Sequence, residues 1–247
     1  MCSSDLVLQF AILKDAGGAT QAITTRPELG MINNKRVVYV ATGKYLEVSD
    51  LTTTQKQTLY AIKDDNASTT LNNPRLFTVG ADKMVEQVFT NSGATRTIAT
   101  CNKVNFGTDR GFYLELPDLY TSATSGTSAS ERAHVNPQLQ FGALIVPTTV
   151  PASDVCAPGG YGWLNFVDYQ SGCQVSGGSS AAVKTNSPIV GVNVVVLPPK
   201  PGVPASDRIK ISVVTADNPT PQVVPAAPPL GSGDFKAKRA IWREMVK

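Results

Sequence analysis

The chain has 247 residues, of which 42% are hydrophobic and 17% charged, and its formal net charge is +3. This length allows one large all-β domain or two small ones, with enough apolar sequence to bury a core. Lysine and arginine are not clustered, which excludes the basic stripe of a nucleic-acid-binding protein. The longest apolar run, residues 189–197, is far too short to cross a bilayer as a helix.

The first six residues differ from the sequence that follows. Residues 1–6 lack the basic and apolar regions of a signal peptide, and no apolar segment precedes Cys2 as it would in a lipoprotein. Their reverse translation resembles a common sequencing adapter read in frame. We therefore expect an assembly artefact at 1–6 and a natural protein that continues upstream; the alternative is an ordinary polar N-terminus.

Short apolar segments bounded by turn formers recur along the chain and predict strands. In chain order they are residues 7–13, 20–25, 36–41, 58–63, 75–79, 85–89, 95–99, 111–116, 140–146, 162–168, 189–197, 208–214 and 240–246. No helical pattern of 10–15 residues separates them, although one short helix is predicted near residues 52–56. Regular strands without intervening helices indicate a sandwich, barrel or propeller rather than βαβ units.

Three segments of biased composition interrupt the strands. Residues 121–130 are rich in serine and threonine, and residues 174–180 in glycine and serine. Residues 217–233 contain five prolines, a composition typical of extended polyproline structure. Because strand-like sequence resumes at Ala240, we interpret all three as loops or a linker and not as a domain boundary.

The cysteines leave two alternatives open. Cys156 and Cys173 flank a loop, a strand and a turn, so a disulfide between them is predicted, which would imply an oxidising compartment. Their spacing, without a Cys-x-x-Cys pair or clustered histidines, argues against a zinc site. Cys101 would then be a small buried hydrophobe, or the partner of a residue upstream of this chain.

Six sequence motifs follow one another in a fixed order. They are Gln21–Pro27, Val37–Tyr45 with Thr42-Gly43 at its turn, Gly111–Pro117, Glu131-Arg132 leading to Pro137, Cys156–Gly172 with Trp163 and Asp168, and Trp242-Arg243-Glu244. In this order they resemble the C-terminal β-propeller domain of the PilC/PilY family, the proteins of type IV pilus assembly and pilus-tip adhesion. The resemblance covers residues 8–173 and reappears at 239–247.

The resemblance implies an all-β fold, the C-terminal portion of a modified β-propeller with about four blades of antiparallel sheet and long loops. The blades would occupy residues 7–216, the Pro-rich loop or linker residues 217–233, and a terminal closing strand residues 234–247. Thr42-Gly43 and the turn from Asp168 to Gly172 would be scaffold turns, since glycine tolerates positive φ and aspartate initiates turns. Trp163 and Trp242 would be core residues between blades, with sugar stacking as the alternative.

The resemblance also implies a non-catalytic function. The propeller would be a scaffold in type IV pilus assembly, opposing retraction and supporting adhesion, at the pilus tip or outer-membrane surface of a Gram-negative-type bacterium. Its partners would be minor pilins or other pilus machinery, with a host or surface ligand bound by the full-length protein. The alternatives are a fragment of a quinone-dependent propeller dehydrogenase and a general surface carbohydrate-binding β protein.

Candidate chemistry is sparse. The family binds calcium through alternating aspartates, and the acidic cluster of Asp64, Asp65 and Asn66 lacks that alternation, so it is a weak metal candidate. We expect no cofactor in this chain and Ca²⁺, if used, in the missing part of the full-length protein. His134 is the only histidine and has no nucleophile motif near it, so we predict a structural residue. Glu131 and Arg132 are predicted to make a structural ion pair or loop contact.

Overall fold

The computed structural model describes residues 9–65, 69–122, 126–152, 159–203 and 208–224. The described residues form β-strands with two short 3-10 helices, Val48–Thr52 and Pro74–Leu76, and no helix in them is long and apolar enough to span a membrane. The strands are β1 (Ala11–Ile12), β2 (Glu28–Ile32), β3 (Lys35–Ala41), β4 (Thr58–Asp64), β5 (Leu71–Asn72), β6 (Met84–Gln87), β7 (Thr90–Ser92), β8 (Thr95–Thr97), β9 (Gly111–Glu115), β10 (Leu119–Thr121), β11 (Ser128–Ser130), β12 (Gln138–Gln140), β13 (Ala143–Pro151), β14 (Gly160–Asp168), β15 (Ala182–Thr185), β16 (Ile189–Val196), β17 (Ile209–Thr215) and β18 (Asn218–Val223).

Three sheets dominate the architecture. The first has the order β2-β3-β4-β9-β6, antiparallel except for the parallel pair β6 and β9. The second has the order β12-β13-β14-β15-β8-β7 and is antiparallel throughout, and the third has the antiparallel order β16-β17-β18. Two small ladders, the parallel pair β1-β5 and the antiparallel pair β10-β11, complete the described part.

The sheets pack face to face in a stack. The alternation of side chains along a strand sends Phe112 of the first sheet and Leu144 of the second into one shared core. Ile145 lies on the other face of β13 and packs with Ile211 of the third sheet. Tyr60 lies on the other face of the first sheet and packs near the β1-β5 ladder. Burial on both faces is typical of propeller blades, and the predicted all-β partial propeller is confirmed.

The segment between β4 and β9 connects two sheets. It contributes β6 to the first sheet and then crosses to the second, where β7 and β8 add two strands beyond β15. The predicted strands 85–89 and 95–99 therefore lie in different sheets, as β6 and β8. The hairpin joins β7 and β8 around Gly93, whose φ of +61° suits glycine at the turn.

Three other predictions differ from the structure. Residues 75–79 do not form a strand, because Asn73 has a left-handed backbone and Pro74 begins a 3-10 helix. Residues 20–25 make only two isolated bridges, between Thr20 and Lys14 and between Ile23 and Gly43. Part of the predicted 217–233 loop forms β18, which adds to the free edge of β17. Residues 225–247, with the predicted closing strand, lie outside the described residues.

Candidate functional site

The turn at Thr42-Gly43 is built into the protein interior. Thr42 Oγ1 accepts a hydrogen bond from Thr58 N at 2.8 Å, and Thr42 O accepts one from Ala133 N at 3.1 Å. Gly43 has a φ of +148°, and a Cβ there would lie 2.7 Å from the backbone of Ala133. Any larger residue would collide, so this turn is a point of close backbone approach.

Arg132 ties down the loop that follows this turn. Its buried guanidinium donates to Lys44 O at 3.1 Å and to Thr53 O at 2.9 Å, and its Nε donates to Ser130 O at 3.0 Å. One side chain thus holds both ends of the loop at residues 44–53. Its burial lowers the pKa of Arg132 from the ordinary arginine value. Arg132 does not pair with Glu131; it contacts the loop.

The interior of this loop is organised by Asp50. The Asp50 carboxylate accepts hydrogen bonds from Leu46 N at 2.8 Å and Glu47 N at 3.1 Å, and Lys44 Nζ lies 3.4 Å from its other oxygen. Burial opposes ionisation, but these donors and the Lys44 charge outweigh it, so the pKa of Asp50 is lowered. The loop holds the exposed side chains of Leu46 and Val48 beside a cleft of about 340 Å³.

Glu131 is the centre of a second, fully buried polar network. Its carboxylate accepts two parallel hydrogen bonds from Arg96, at 2.8 and 2.6 Å, and one from Thr148 Oγ1 at 2.5 Å. Asn165 accepts a third bond from the Arg96 guanidinium at 3.0 Å and donates to Thr148 Oγ1 at 3.1 Å. Glu131, Arg96 and Asn165 have no solvent exposure. Such a paired arrangement satisfies charges that would be costly if left alone.

Trp163 belongs to the same network. Its indole Nε1 donates to Asp118 Oδ2 at 2.6 Å, and the Arg96 guanidinium carbon lies 3.9 Å from its ring centroid. With 1% of its surface exposed, the ring has no face open to a sugar. Trp163 is therefore enclosed by the protein, and its position between blades stays a prediction. Trp242 lies outside the described residues.

The turn from Asp168 to Gly172 has the expected form. Asp168 Oδ1 accepts hydrogen bonds from Gln170 N and Ser171 N, and Gly172 N donates to Asp168 O at 2.8 Å. Gly172 has a φ of +70°, and a Cβ there would lie 2.5 Å from the Phe112 ring. The turn therefore packs directly against the first sheet.

The predicted Cys156–Cys173 disulfide is wrong about the partner of Cys173. Cys173 is bonded to Cys101, with Cα atoms 5.4 Å apart and a sequence separation of 72. Cys156 lies outside the described residues. The segment between β4 and β9 brings Cys101 beside the turn after β14, a proximity that sequence spacing does not reveal. The bond fixes this segment to the second sheet.

The weak metal candidates are engaged in ion pairs. Asp64 Oδ2 lies 3.1 Å from Arg36 Nε, and Asp65 Oδ2 lies 3.0 Å from an Arg110 terminal nitrogen. Asn66 lies outside the described residues. Within the described part of the chain, no group of three or more His, Cys, Asp or Glu side chains could hold a metal ion.

His134 packs against Tyr45, with ring centroids 5.3 Å apart in an edge-to-face arrangement. Burial, and then the nearby Arg132 charge, lower the pKa of His134, so the imidazole is neutral at pH 7. Its Nδ1 atom is buried and has no hydrogen-bond partner in the described residues. The structural role of His134 stays a prediction.

Sequence reasoning missed Arg96 and Asn165. Asn165 lies in a strand between the buried residues Leu164 and Phe166, and a polar side chain at a buried strand position signals a buried partner. Arg96 lies between the half-buried Thr95 and Thr97, so its local sequence carries no such signal. The partners come from residues 35 and 69 positions away, which only the sheet order brings together.

Comparison with known proteins agrees with this architecture. Residues 8–103 match the family model of the PilY1 β-propeller domain. The crystal structure of the Pseudomonas aeruginosa PilY1 C-terminal domain is similar with a TM-score of 0.62 and 19% identity, covering 88% of this chain and 48% of that chain. The chain thus spans about half the length of that structure. A search of curated proteins gave no match. The predicted resemblance is confirmed: residues 8–103 match the model of the PilY1 β-propeller domain, and the fold is similar to that of a PilY1 C-terminal domain.

Proposed function

We propose that this chain is a non-catalytic scaffold of a type IV pilus protein, and that it supports pilus assembly against retraction and contributes to adhesion. The observation that carries the proposal is the family match at residues 8–103 together with the shared propeller fold. The partners would be minor pilins or other pilus machinery. The site of action would be the pilus tip or the outer-membrane surface, outside the cell.

The internal chemistry of the described residues suits a scaffold. The most completely buried charges, Arg96 and Glu131, neutralise each other and hold strands together. The Arg132 guanidinium donates hydrogen bonds to backbone carbonyls of one loop. A hydrolytic or redox site needs reactive groups that face a substrate, whereas these groups face one another. Calcium, if the full-length protein uses it, would bind in residues outside this chain.

Two other functions remain as competitors. A quinone-dependent dehydrogenase shares the propeller architecture, and a carbohydrate-binding surface protein shares the β-rich composition. No specific observation supports either function, because Trp163 is enclosed and the acidic residues Asp64 and Asp65 are paired with arginines.

Deletion of the gene tests the proposal. We expect loss of surface pili and of twitching motility, and recovery of pili when retraction is also disabled, because the proposed role opposes retraction. A matched strain re-expressing the intact gene controls for effects on neighbouring genes. Normal piliation and adhesion in the deletion strain would overturn the proposal, and loss of a dye-linked dehydrogenase activity instead would favour the first competitor.

A further inference from the structure

Strand β16 is the longest edge strand in the described part of the chain. Its eight residues, Ile189–Val196, contain no charge and no proline. Val190, Val195 and Val196 are exposed. Natural proteins protect sheet edges with charges, prolines, bulges or a covering segment, because an open edge invites pairing with another strand. Apart from a bulge near Ile189, β16 has none of the first three, so a covering segment is expected.

Hydrogen-bond alternation identifies the groups that face away from the sheet. Leu197 N donates to Arg208 O, which places residue 197 in a hydrogen-bonded pair with β17. In an antiparallel ladder the next such pairs are two residues apart, so the backbone groups of Val192, Val194 and Val196 face outward. Val192 O accepts a hydrogen bond from the Gln138 side chain at 2.7 Å. Among the described residues, Val194 and Val196 present the open part of the edge.

The opposite edge of the same sheet is unsuitable for a further strand. Val224 N donates to Ile211 O, so the same alternation turns Pro221 outward on β18. Pro219 and Pro221 have no N–H to donate, and proline on an edge strand prevents regular pairing. A segment that adds a strand to this sheet would therefore pair with β16.

We propose that residues 240–246 of this same chain dock on the open edge of β16 as an added strand. The chain leaves the described residues after Val224, at the end of β18, and 23 residues follow. The 15 residues 225–239 can span up to about 50 Å when extended, whereas crossing the three strand spacings from β18 to a strand beyond β16 needs about 15 Å. The segment is rich in apolar residues, namely Ala240, Ile241, Trp242, Met245 and Val246.

The main-chain groups of the edge specify the kind of occupant. Outward N–H and C=O groups at Val194 and Val196 pair with an extended backbone, as in other cases of strand addition. The inference shares with the sequence prediction a closing strand in 234–247, and it adds the strand β16 with which that segment pairs. It does not depend on the proposed pilus function.

Hydrogen exchange measured on the 247-residue chain tests the inference. Backbone amides of the peptide covering residues 189–197 are expected to exchange about tenfold or more slowly than in a chain truncated after residue 233. Protection of β4 at residues 59–62, measured in the same sample, confirms that the truncated chain is folded. Equal exchange at 189–197 in the two chains would overturn the inference.

Two matched substitutions sharpen the test. Val194→Pro removes an outward donor without removing a hydrogen bond to β17, and Trp242→Asp places a charge in the docking segment; each should abolish the added protection. Lys247→Asp, just beyond the segment, should leave it intact. Protection that survives Trp242→Asp, or that rises with protein concentration, would assign the edge to another occupant such as a second copy and refute the proposal.

Discussion

Replacement of Glu131 by alanine is expected to destabilise the protein strongly. The Glu131 carboxylate receives two hydrogen bonds from Arg96, one from Thr148 Oγ1, and one from Asp118 N at 3.2 Å, and it has no solvent exposure. Its removal leaves the Arg96 guanidinium buried, with Asp118 at 3.6 Å as the remaining carboxylate. Loss of one partner of a buried pair costs about 3–5 kcal/mol, and Asp118 places this case toward the lower end.

Urea unfolding at neutral pH measures this cost. We expect a lower transition midpoint for Glu131→Ala with a similar slope, and a smaller loss of about 1–3 kcal/mol for Glu131→Gln, which keeps one acceptor oxygen. Glu86→Ala, at an exposed position, is the control and should change stability by less than about 0.5 kcal/mol. A loss for Glu131→Ala no larger than that of the control would refute the reasoning.

A double-mutant cycle measures the interaction energy between Arg96 and Glu131 separately from their contacts with other residues. Arg96→Ala combined with Glu131→Ala should cost less than the sum of the two single variants by about 1–3 kcal/mol, because each single variant leaves a charge unpaired. Strict additivity would contradict a direct interaction between the two side chains.

Three further perturbations test the turn, the disulfide and the loop. Gly43→Ala should lower stability by about 2 kcal/mol or more in thermal unfolding, since its φ of +148° and the nearby backbone exclude a Cβ; an unchanged midpoint would contradict this. Replacing both Cys101 and Cys173 by serine should lower the free energy of unfolding by about 4 kcal/mol, because the constraint on a loop of 72 residues is lost. Urea unfolding of this variant and of the oxidised wild type measures the difference, and a loss below about 1 kcal/mol would argue against the bond. Because folding lowers the pKa of Asp50, the contribution of its carboxylate to stability is complete above the unfolded pKa of about 3.9 and disappears as pH falls through the lower folded value. In that acidic range the amides of the loop at residues 44–53 should exchange faster in the wild type but not in Asp50→Asn. Equal acceleration in both proteins would refute the assignment.

The local strands of the first sheet could be predicted from sequence. Residues 36–41, 58–63 and 111–116 are short apolar segments between turn formers, and they correspond to β3, β4 and β9. The turns at Gly43 and Gly172 were also predicted, because the backbone conformations they need restrict the choice of residue. These features depend on neighbours in sequence.

The predictions that failed concern contacts between segments that are distant in sequence. The pairing of Cys101 with Cys173 follows from the crossing of the β4–β9 connection into the second sheet, which no local pattern encodes. Arg96 likewise meets Glu131 only because β8 adds to the edge of β15. Strand periodicity specifies which face a side chain takes, but it does not specify the sheet that the strand joins.

The most direct test of the proposed scaffold role links the buried network to piliation. A strain lacking the gene is complemented with the full-length gene carrying wild-type sequence, Glu131→Ala or Glu86→Ala, and surface pili are counted. We predict wild-type numbers with Glu86→Ala and a marked loss with Glu131→Ala that recovers when retraction is disabled. Full piliation with Glu131→Ala, in cells where that substitution is shown to unfold this region, would contradict the claim that the propeller supports pilus assembly.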